Sequence, residues 1–141
     1  MNTKSKTIPY SLSEIKSVAQ EIIDQAQNQK IWLFTGELGA GKTTLIKELA
    51  HQLGSRDTIS SPTYTLVNQY LYPKGNIYHM DAYRIQSEQE AYDIGIEEIL
   101  YSGDYVWIEW PKKIETFLPA HYVSIKINLS DKKRILNLEI K

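Results

Sequence analysis

Residues 36–44, GELGAGKTT, have the residue types and the spacing that bind the phosphates of a nucleotide. They match the pattern G-x-x-x-x-G-K-[ST] through Gly36, Gly41, Lys42 and Thr43. Glycines let successive backbone N–H groups turn toward an anion. The lysine ammonium of this pattern pairs with the β- and γ-phosphates, and the hydroxyl that follows it is a ligand for Mg²⁺. We assign nucleotide binding to the whole loop: Gly36, Glu37, Leu38, Gly39, Ala40, Gly41, Lys42, Thr43 and Thr44.

The segments on either side of this loop predict a strand before it and a helix after it. Residues 30–35 are a short, mostly apolar run that is typical of a buried strand. Residues 43–53 place four apolar side chains at helical spacing: Leu45, Ile46, Leu49 and Leu53. The loop therefore opens a helix, whose N-terminus favours negative charge. The alternative is a glycine-rich turn with an incidental lysine, which chance produces rarely in this context.

A phosphate-binding loop also requires an acidic partner that holds Mg²⁺ or orients a water, usually at the end of an apolar strand. Asp81 follows the β-rich residues 77–80, and Glu109 ends the apolar run 106–108. Ligands gather at the carboxyl ends of strands in open α/β sheets, so we expect both residues beside the loop. A carboxylate after a strand is equally often a helix cap or part of a solvated turn. The sequence leaves open which of the two contacts the metal.

Four further residues have two interpretations each. Ser11, together with residues 8–10 before it, either contacts the adenine or begins an ordinary helix, since Ser11 and Glu14 have the spacing of a capping box. Trp110 either stacks on the nucleotide or fills the core. His79 is interpreted as a structural histidine rather than a general base, and Arg84 is either a catalytic cation or part of a solvated face.

The remaining elements predict a mixed α/β fold. We expect a helix over residues 12–27, a hairpin of residues 63–72 and 77–80, two short helices broken at Gly95 within residues 87–100, a strand over residues 105–110 and a C-terminal hairpin of residues 122–129 and 134–140. The predicted fold is a small, single-domain P-loop NTPase covering residues 1–141, with a mixed central sheet, antiparallel hairpin additions and flanking helices. Hairpin strands pair antiparallel, which excludes a plain alternation of strands and helices.

Composition narrows the class of protein further. The net charge is −1, so there is no overall attraction to nucleic acid. The absence of cysteine excludes disulfides and thiolate metal sites. The N-terminal residues lack the apolar core of a signal peptide, and we expect a cytoplasmic protein with no membrane contact.

Five segments in this order resemble the bacterial TsaE family. They are GELGAGKTT (36–44), SPTYTL (61–66), IYHMDAYR (77–84), DIGIEEIL (93–100) and IEWP (108–111). The family is the small P-loop ATPase of tRNA threonylcarbamoyladenosine biosynthesis.

The resemblance covers about residues 10–120, with mild departures at Met80 and Ala82, and the C-terminal hairpin has no segment that matches the family. It implies a small P-loop α/β domain whose sheet has antiparallel additions.

The resemblance also implies roles for individual residues. The catalytic residues would be Lys42, Asp81 and Glu109, with Asp81 at the Walker-B-like position. Thr43 and Glu109 would coordinate Mg²⁺, and Trp110 would lie close to the nucleotide. The switch-like loop near the γ-phosphate would be Ser61, Pro62 and Thr63.

The function implied by the resemblance is ATP hydrolysis that supports a TsaD/TsaB-type threonylcarbamoyl transferase complex. That complex modifies the adenosine next to the anticodon of tRNA, so this protein would interact with tRNA only indirectly, through the complex. Two alternatives stay open: a small-molecule kinase, and a nucleotide-gated binding module with little catalysis. A kinase needs a lid bearing arginines, and the chain has only Arg56, Arg84 and Arg134.

Overall fold

A seven-stranded mixed sheet forms the centre of the fold in the computed structural model, which describes residues 4–37, 39–60, 62 and 66–141. The strands are β1 (Lys4–Tyr10), β2 (Ile31–Gly36), β3 (Val67–Tyr72), β4 (Gly75–Asp81), β5 (Tyr105–Glu109), β6 (Val123–Ser130) and β7 (Lys133–Ile140). Their order across the sheet is β1-β7-β6-β2-β5-β4-β3. Strands β6, β2, β5 and β4 are parallel, whereas β7, β1 and β3 pair antiparallel at the edges. The predicted mixed sheet with hairpin additions is confirmed.

Helices cover both faces of this sheet. The α-helices are α1 (Ile15–Ala26), α2 (Lys42–Gln52), α3 (Glu88–Asp93) and α4 (Ile96–Leu100), and short 3-10 helices span Leu12–Glu14, Ala82–Arg84 and Pro111–Phe117. The predicted break at Gly95 is present, and its φ of +84° is a conformation that glycine adopts without steric cost. Among the helices of the described residues, none has the length and apolar character needed to cross a bilayer.

The sheet separates two apolar cores. One core lies under α1 and α2 and includes Trp32 and Trp107, whose rings stack with centroids 5.2 Å apart. The other lies under α3 and α4 and includes Ile108 and Met80. All five residues of the central strand β5 are buried, as expected for a parallel strand that is covered on both faces. This double covering fixes the strand ends that carry the candidate site.

The structure differs from the predicted elements mainly at the N-terminus. No strand was predicted before the helix of residues 12–27, but β1 begins at Lys4 and pairs with β7 along its whole length, from Lys4 opposite Ile140 to Tyr10 opposite Arg134. Six of its seven residues keep some exposure, so no clear apolar alternation marks the strand.

Smaller differences concern where elements begin and end. The loop helix begins at Lys42 instead of residue 43, and β2 extends to Gly36. The turn between β3 and β4 has two residues, 73 and 74, because Gly75 already pairs with Tyr72. Residues 63–65 of the predicted hairpin lie outside the described residues.

Candidate functional site

The phosphate-binding loop connects the end of β2 to the start of α2. Gly36 has a φ of +155°, and a Cβ there would lie 2.6 Å from the carbonyl oxygen of Ile127. Gly41 caps α2 with a φ of +99°. The Ala40 N–H donates to the carbonyl of Glu37 at 3.0 Å. Glycine is therefore required at two of the positions that define the sequence pattern, whereas Leu38 lies outside the described residues.

Lys42 is the first residue of α2 and is 7% exposed. Its Nζ donates to the carbonyl oxygen of Gly36 at 2.5 Å and lies 4.2 Å from the centroid of the Trp110 ring. Burial lowers the pKa of Lys42, and the carboxylates of Glu109 and Asp81 oppose that shift. The ammonium is thus held over the loop and within the electrostatic range of both candidate acids.

Asp81 and Glu109 end two neighbouring parallel strands, β4 and β5, and are paired with each other in the sheet register. Glu109 is also opposite Phe34 of β2, the strand that leads into the phosphate loop. The structure therefore places both carboxylates at the edge of the sheet where the loop begins. Asp81 caps the following 3-10 helix as well, because its Oδ1 accepts the N–H of Tyr83 at 3.0 Å.

His79 lies completely buried on β4 and uses both ring nitrogens. Nε2 lies 2.8 Å from Oε2 of Glu109, and Nδ1 lies 3.1 Å from the hydroxyl of Tyr70. The prediction of a satisfied structural histidine is confirmed. That its partner is Glu109 was missed, because the distance between the side chains depends on how β4 and β5 align.

Trp110 follows β5 in a left-handed conformation with a φ of +54°. Its half-buried ring covers the ammonium of Lys42 and lies 5.8 Å from the ring of Tyr83. Trp110 belongs to neither of the two cores described above. The ring lies at the mouth of the phosphate loop, so the alternative that Trp110 fills the core is wrong.

Arg134 is a further residue beside the phosphate loop that no sequence pattern predicted. It lies near the start of β7, and its Nε donates to the carbonyl of Ala40 at 3.0 Å. The guanidinium also closes the space beside Gly41, where a Cβ would lie 2.8 Å from Nε. A single arginine near the start of β7 carries no local sequence signal for this contact. Its proximity to the loop follows only from the position of β7 next to β6.

Ser11 and the segment 61–63 are the remaining predicted site residues, which lie outside the phosphate loop and the two acidic strand ends. Ser11 forms the predicted capping box, since its N–H and hydroxyl donate to Oε1 of Glu14 at 2.9 and 3.0 Å. Its contact with adenine stays a prediction, although Tyr10, the residue before it, pairs with Arg134 beside the loop. Pro62 is buried, and Ser61 and Thr63 lie outside the described residues.

The candidate donor set fits Mg²⁺. A hydroxyl at Thr43 and carboxylates at Asp81 and Glu109 provide the hard oxygen ligands that Mg²⁺ prefers. No cluster of three or more His, Cys, Asp or Glu side chains able to hold a metal occurs among the described residues. Mg²⁺ usually keeps several waters and binds through one or two carboxylates together with substrate phosphates. A nucleotide would therefore complete this site.

Comparisons with known proteins agree with the fold and identify the family. Residues 10–136 match the family model "Threonylcarbamoyl adenosine biosynthesis protein TsaE". The tRNA threonylcarbamoyladenosine biosynthesis protein TsaE of Rickettsia bellii is 37% identical over 136 residues, covering 95% of this chain and 94% of that protein. Its namesake from Bacillus subtilis is 35% identical over 114 residues, covering 81% of this chain and 71% of that protein. The crystal structure of YdiB from Bacillus subtilis superposes with a TM-score of 0.74 at 27% identity, covering 99% of this chain and 88% of that one. The chain belongs to the TsaE family of tRNA threonylcarbamoyladenosine biosynthesis proteins.

Proposed function

We propose that this protein is a cytoplasmic, Mg²⁺-dependent ATPase that serves the threonylcarbamoyl modification of the tRNA adenosine next to the anticodon. The observation that carries the proposal is the placement of Lys42. Its ammonium lies over the phosphate-binding loop, bonded to the Gly36 carbonyl, and within the field of the carboxylates of Asp81 and Glu109. An ammonium beside a phosphate-binding loop, close to acids at strand ends, is the arrangement that enzymes of phosphoryl transfer use.

The residues of the candidate site have separate roles in this proposed hydrolysis. The loop N–H groups and Lys42 bind the phosphates and stabilise charge as it spreads over the phosphoryl oxygens. Thr43 and Glu109 would hold Mg²⁺, which when bound neutralises charge between the β- and γ-phosphates. Asp81, whose Oδ1 is fixed by the N–H of Tyr83, would orient the attacking water.

We further propose that hydrolysis is slow in the isolated protein and faster with a TsaD/TsaB-type transferase complex. Of the arginines near the site, Arg134 is already bonded to the Ala40 carbonyl, and Arg84 lies exposed on a 3-10 helix. An arginine that reaches the γ-phosphate raises phosphoryl-transfer rates by ~10³–10⁵. A partner that supplies or repositions such a cation would account for stimulation.

The test is phosphate release from ATP by the isolated protein and by its mixture with the transferase partners and tRNA. Lys42→Ala should reduce release by about 10²- to 10³-fold, as for loss of one transition-state donor. Lys47→Ala is the matched control, because Lys47 lies exposed on the same helix and should behave like the wild type.

Equal release by wild type and Lys42→Ala would place the activity elsewhere. Tight ATP binding without phosphate release would identify a nucleotide-gated binding module. Transfer of phosphate to a metabolite instead of water would identify a kinase.

A further inference from the structure

Glu109 has a buried hydrogen-bond partner, His79. Glu109 is 5% exposed, and its Oε2 lies 2.8 Å from Nε2 of His79, which is completely buried. A buried carboxylate without a partner is costly, and a hydrogen bond from an imidazole removes much of that cost. The bond also fixes the direction of one carboxylate oxygen.

Tyr70 holds the other side of the same imidazole. Its hydroxyl lies 3.1 Å from Nδ1 of His79 and 2.7 Å from the carbonyl oxygen of Ser60. The hydroxyl donates to the Ser60 carbonyl and its oxygen lies beside Nδ1, so the imidazole is held between Tyr70 and Glu109. The amide of Asn68 also donates to the Ser60 carbonyl at 3.1 Å and to the Tyr70 oxygen at 3.2 Å.

These bonds form a continuous path from Ser60 to Glu109. Ser60 directly precedes residues 61–63, the proposed switch-like segment, and its N–H also lies 3.3 Å from the Tyr70 hydroxyl. The path crosses three strands, because Tyr70 is on β3, His79 on β4 and Glu109 on β5. It therefore links the chain entering that segment to the carboxylate assigned to the metal.

We propose that His79 is a positioning residue that orients Glu109 for Mg²⁺ and is itself oriented by Tyr70. The proposal rests on the proposed function, in which Glu109 is a metal ligand. His79 occupies Oε2, so Oε1 would be the oxygen that binds Mg²⁺. Partners that orient a metal ligand typically change metal affinity or activity by about 10- to 100-fold when they are replaced.

Two substitutions of His79 separate positioning from simple packing. In His79→Gln the side-chain amide nitrogen extends to the position of Nε2, so it still donates to Glu109. In His79→Asn the amide nitrogen matches Nδ1, so it faces Tyr70 and does not reach Glu109. Both replacement side chains are polar and no larger than that of histidine, so the two variants serve as a matched pair.

The measurement is Mn²⁺ binding, by electron paramagnetic resonance, in the presence of a non-hydrolysable ATP analogue. We expect His79→Asn to weaken Mn²⁺ binding by about 10-fold or more, and His79→Gln to stay within about threefold of wild type. Binding of the analogue in EDTA should be unchanged in both, because Lys42 and the loop are intact. Equal Mn²⁺ affinities in all three proteins, or equal losses in the two variants, would overturn the proposal.

Tyr70→Phe provides a second test that does not depend on either His79 variant folding. It removes the hydroxyl that orients the imidazole and should weaken Mn²⁺ binding, though less than His79→Asn does. An affinity equal to wild type would contradict the role of Tyr70. A wild-type protein that binds the analogue but no Mn²⁺ would instead remove the proposed metal function of Glu109, which is a different result.

Discussion

The ammonium of Lys42 lies 4.2 Å from the centroid of the Trp110 ring, so the residue that defines the phosphate loop is covered by the residue that follows the acidic strand end. A cation at this distance from an indole face is attracted by about 0.5–2 kcal/mol, depending on how far the pair is removed from water. The contact joins α2 to the end of β5. A phosphate that pairs with Lys42 must arrive beside this ring.

Trp110 should therefore report nucleotide binding. We expect its fluorescence to change when ATP binds, because the phosphate alters the position and the charge environment of the ammonium under the ring. Trp110→Phe should abolish the change while keeping an aromatic face for Lys42. The other two tryptophans, Trp32 and Trp107, are completely buried in a core and should contribute a constant signal. A full-sized change that persists in Trp110→Phe would contradict this assignment.

Two glycines of the loop should differ in their tolerance of alanine. At Gly39, no described heavy atom lies within 4 Å of the position that a Cβ would occupy, and the φ of +84° is the only obstacle. Gly39→Ala should lower the free energy of unfolding by about 1–2 kcal/mol. Gly36→Ala should cost more, because its Cβ would lie 2.6 Å from a backbone oxygen that cannot rotate away. Urea denaturation of the nucleotide-free proteins measures both, and equal losses would contradict the steric argument.

Burial of Lys42 should make part of the stability depend on pH. Its pKa is lowered from 10.5 in the folded protein, so the unfolded chain binds more protons between the lowered value and 10.5. The contribution of Lys42 to the free energy of unfolding therefore rises with pH across that window. Below the window it is a constant penalty, because the charged ammonium is poorly solvated in the folded state.

The comparison that isolates this effect is wild type against Lys42→Met. Burial raises the pKa of Tyr10 and of Tyr105, and these groups lower stability as pH rises above about 10 in both proteins. The difference in free energy of unfolding, wild type minus variant, should increase through the window. A difference that is independent of pH would show that Lys42 is not desolvated.

The sequence predicted the features of this molecule that depend on neighbouring residues. The phosphate loop was recognisable because its glycines, lysine and threonine occur within nine consecutive residues. The two hairpins were predictable from alternating strands with turn residues between them. The positions of Asp81 and Glu109 followed from a general rule, that parallel strands direct their carboxyl ends to one edge.

The features that were missed depend on register and on contacts between distant parts of the chain. The bond between His79 and Glu109 requires His79 to lie opposite Trp107 rather than one residue away, and a shift of one residue would point it to the other face. The pairing of β1 with β7 joins the two ends of the described chain, and neither strand carries a local signal for the other. For the same reason, the sequence did not place Arg134 beside the loop.

Arg134 should matter for nucleotide binding although it belongs to none of the sequence motifs. Its guanidinium donates to the Ala40 carbonyl, which holds the loop in the conformation from which α2 starts. A hydrogen bond from a charged donor contributes about 1.5–3 kcal/mol, and partial exposure reduces that value. Arg134→Ala should weaken ATP binding by about five- to thirtyfold, corresponding to about 1–2 kcal/mol.

Lys132→Ala is the matched control, because Lys132 is an exposed cation in the adjoining turn and should leave ATP binding unchanged. Calorimetric titration with ATP measures both variants. If Arg134→Ala and Lys132→Ala bind ATP equally well, the loop keeps its conformation without the guanidinium, and Arg134 contributes only to the sheet.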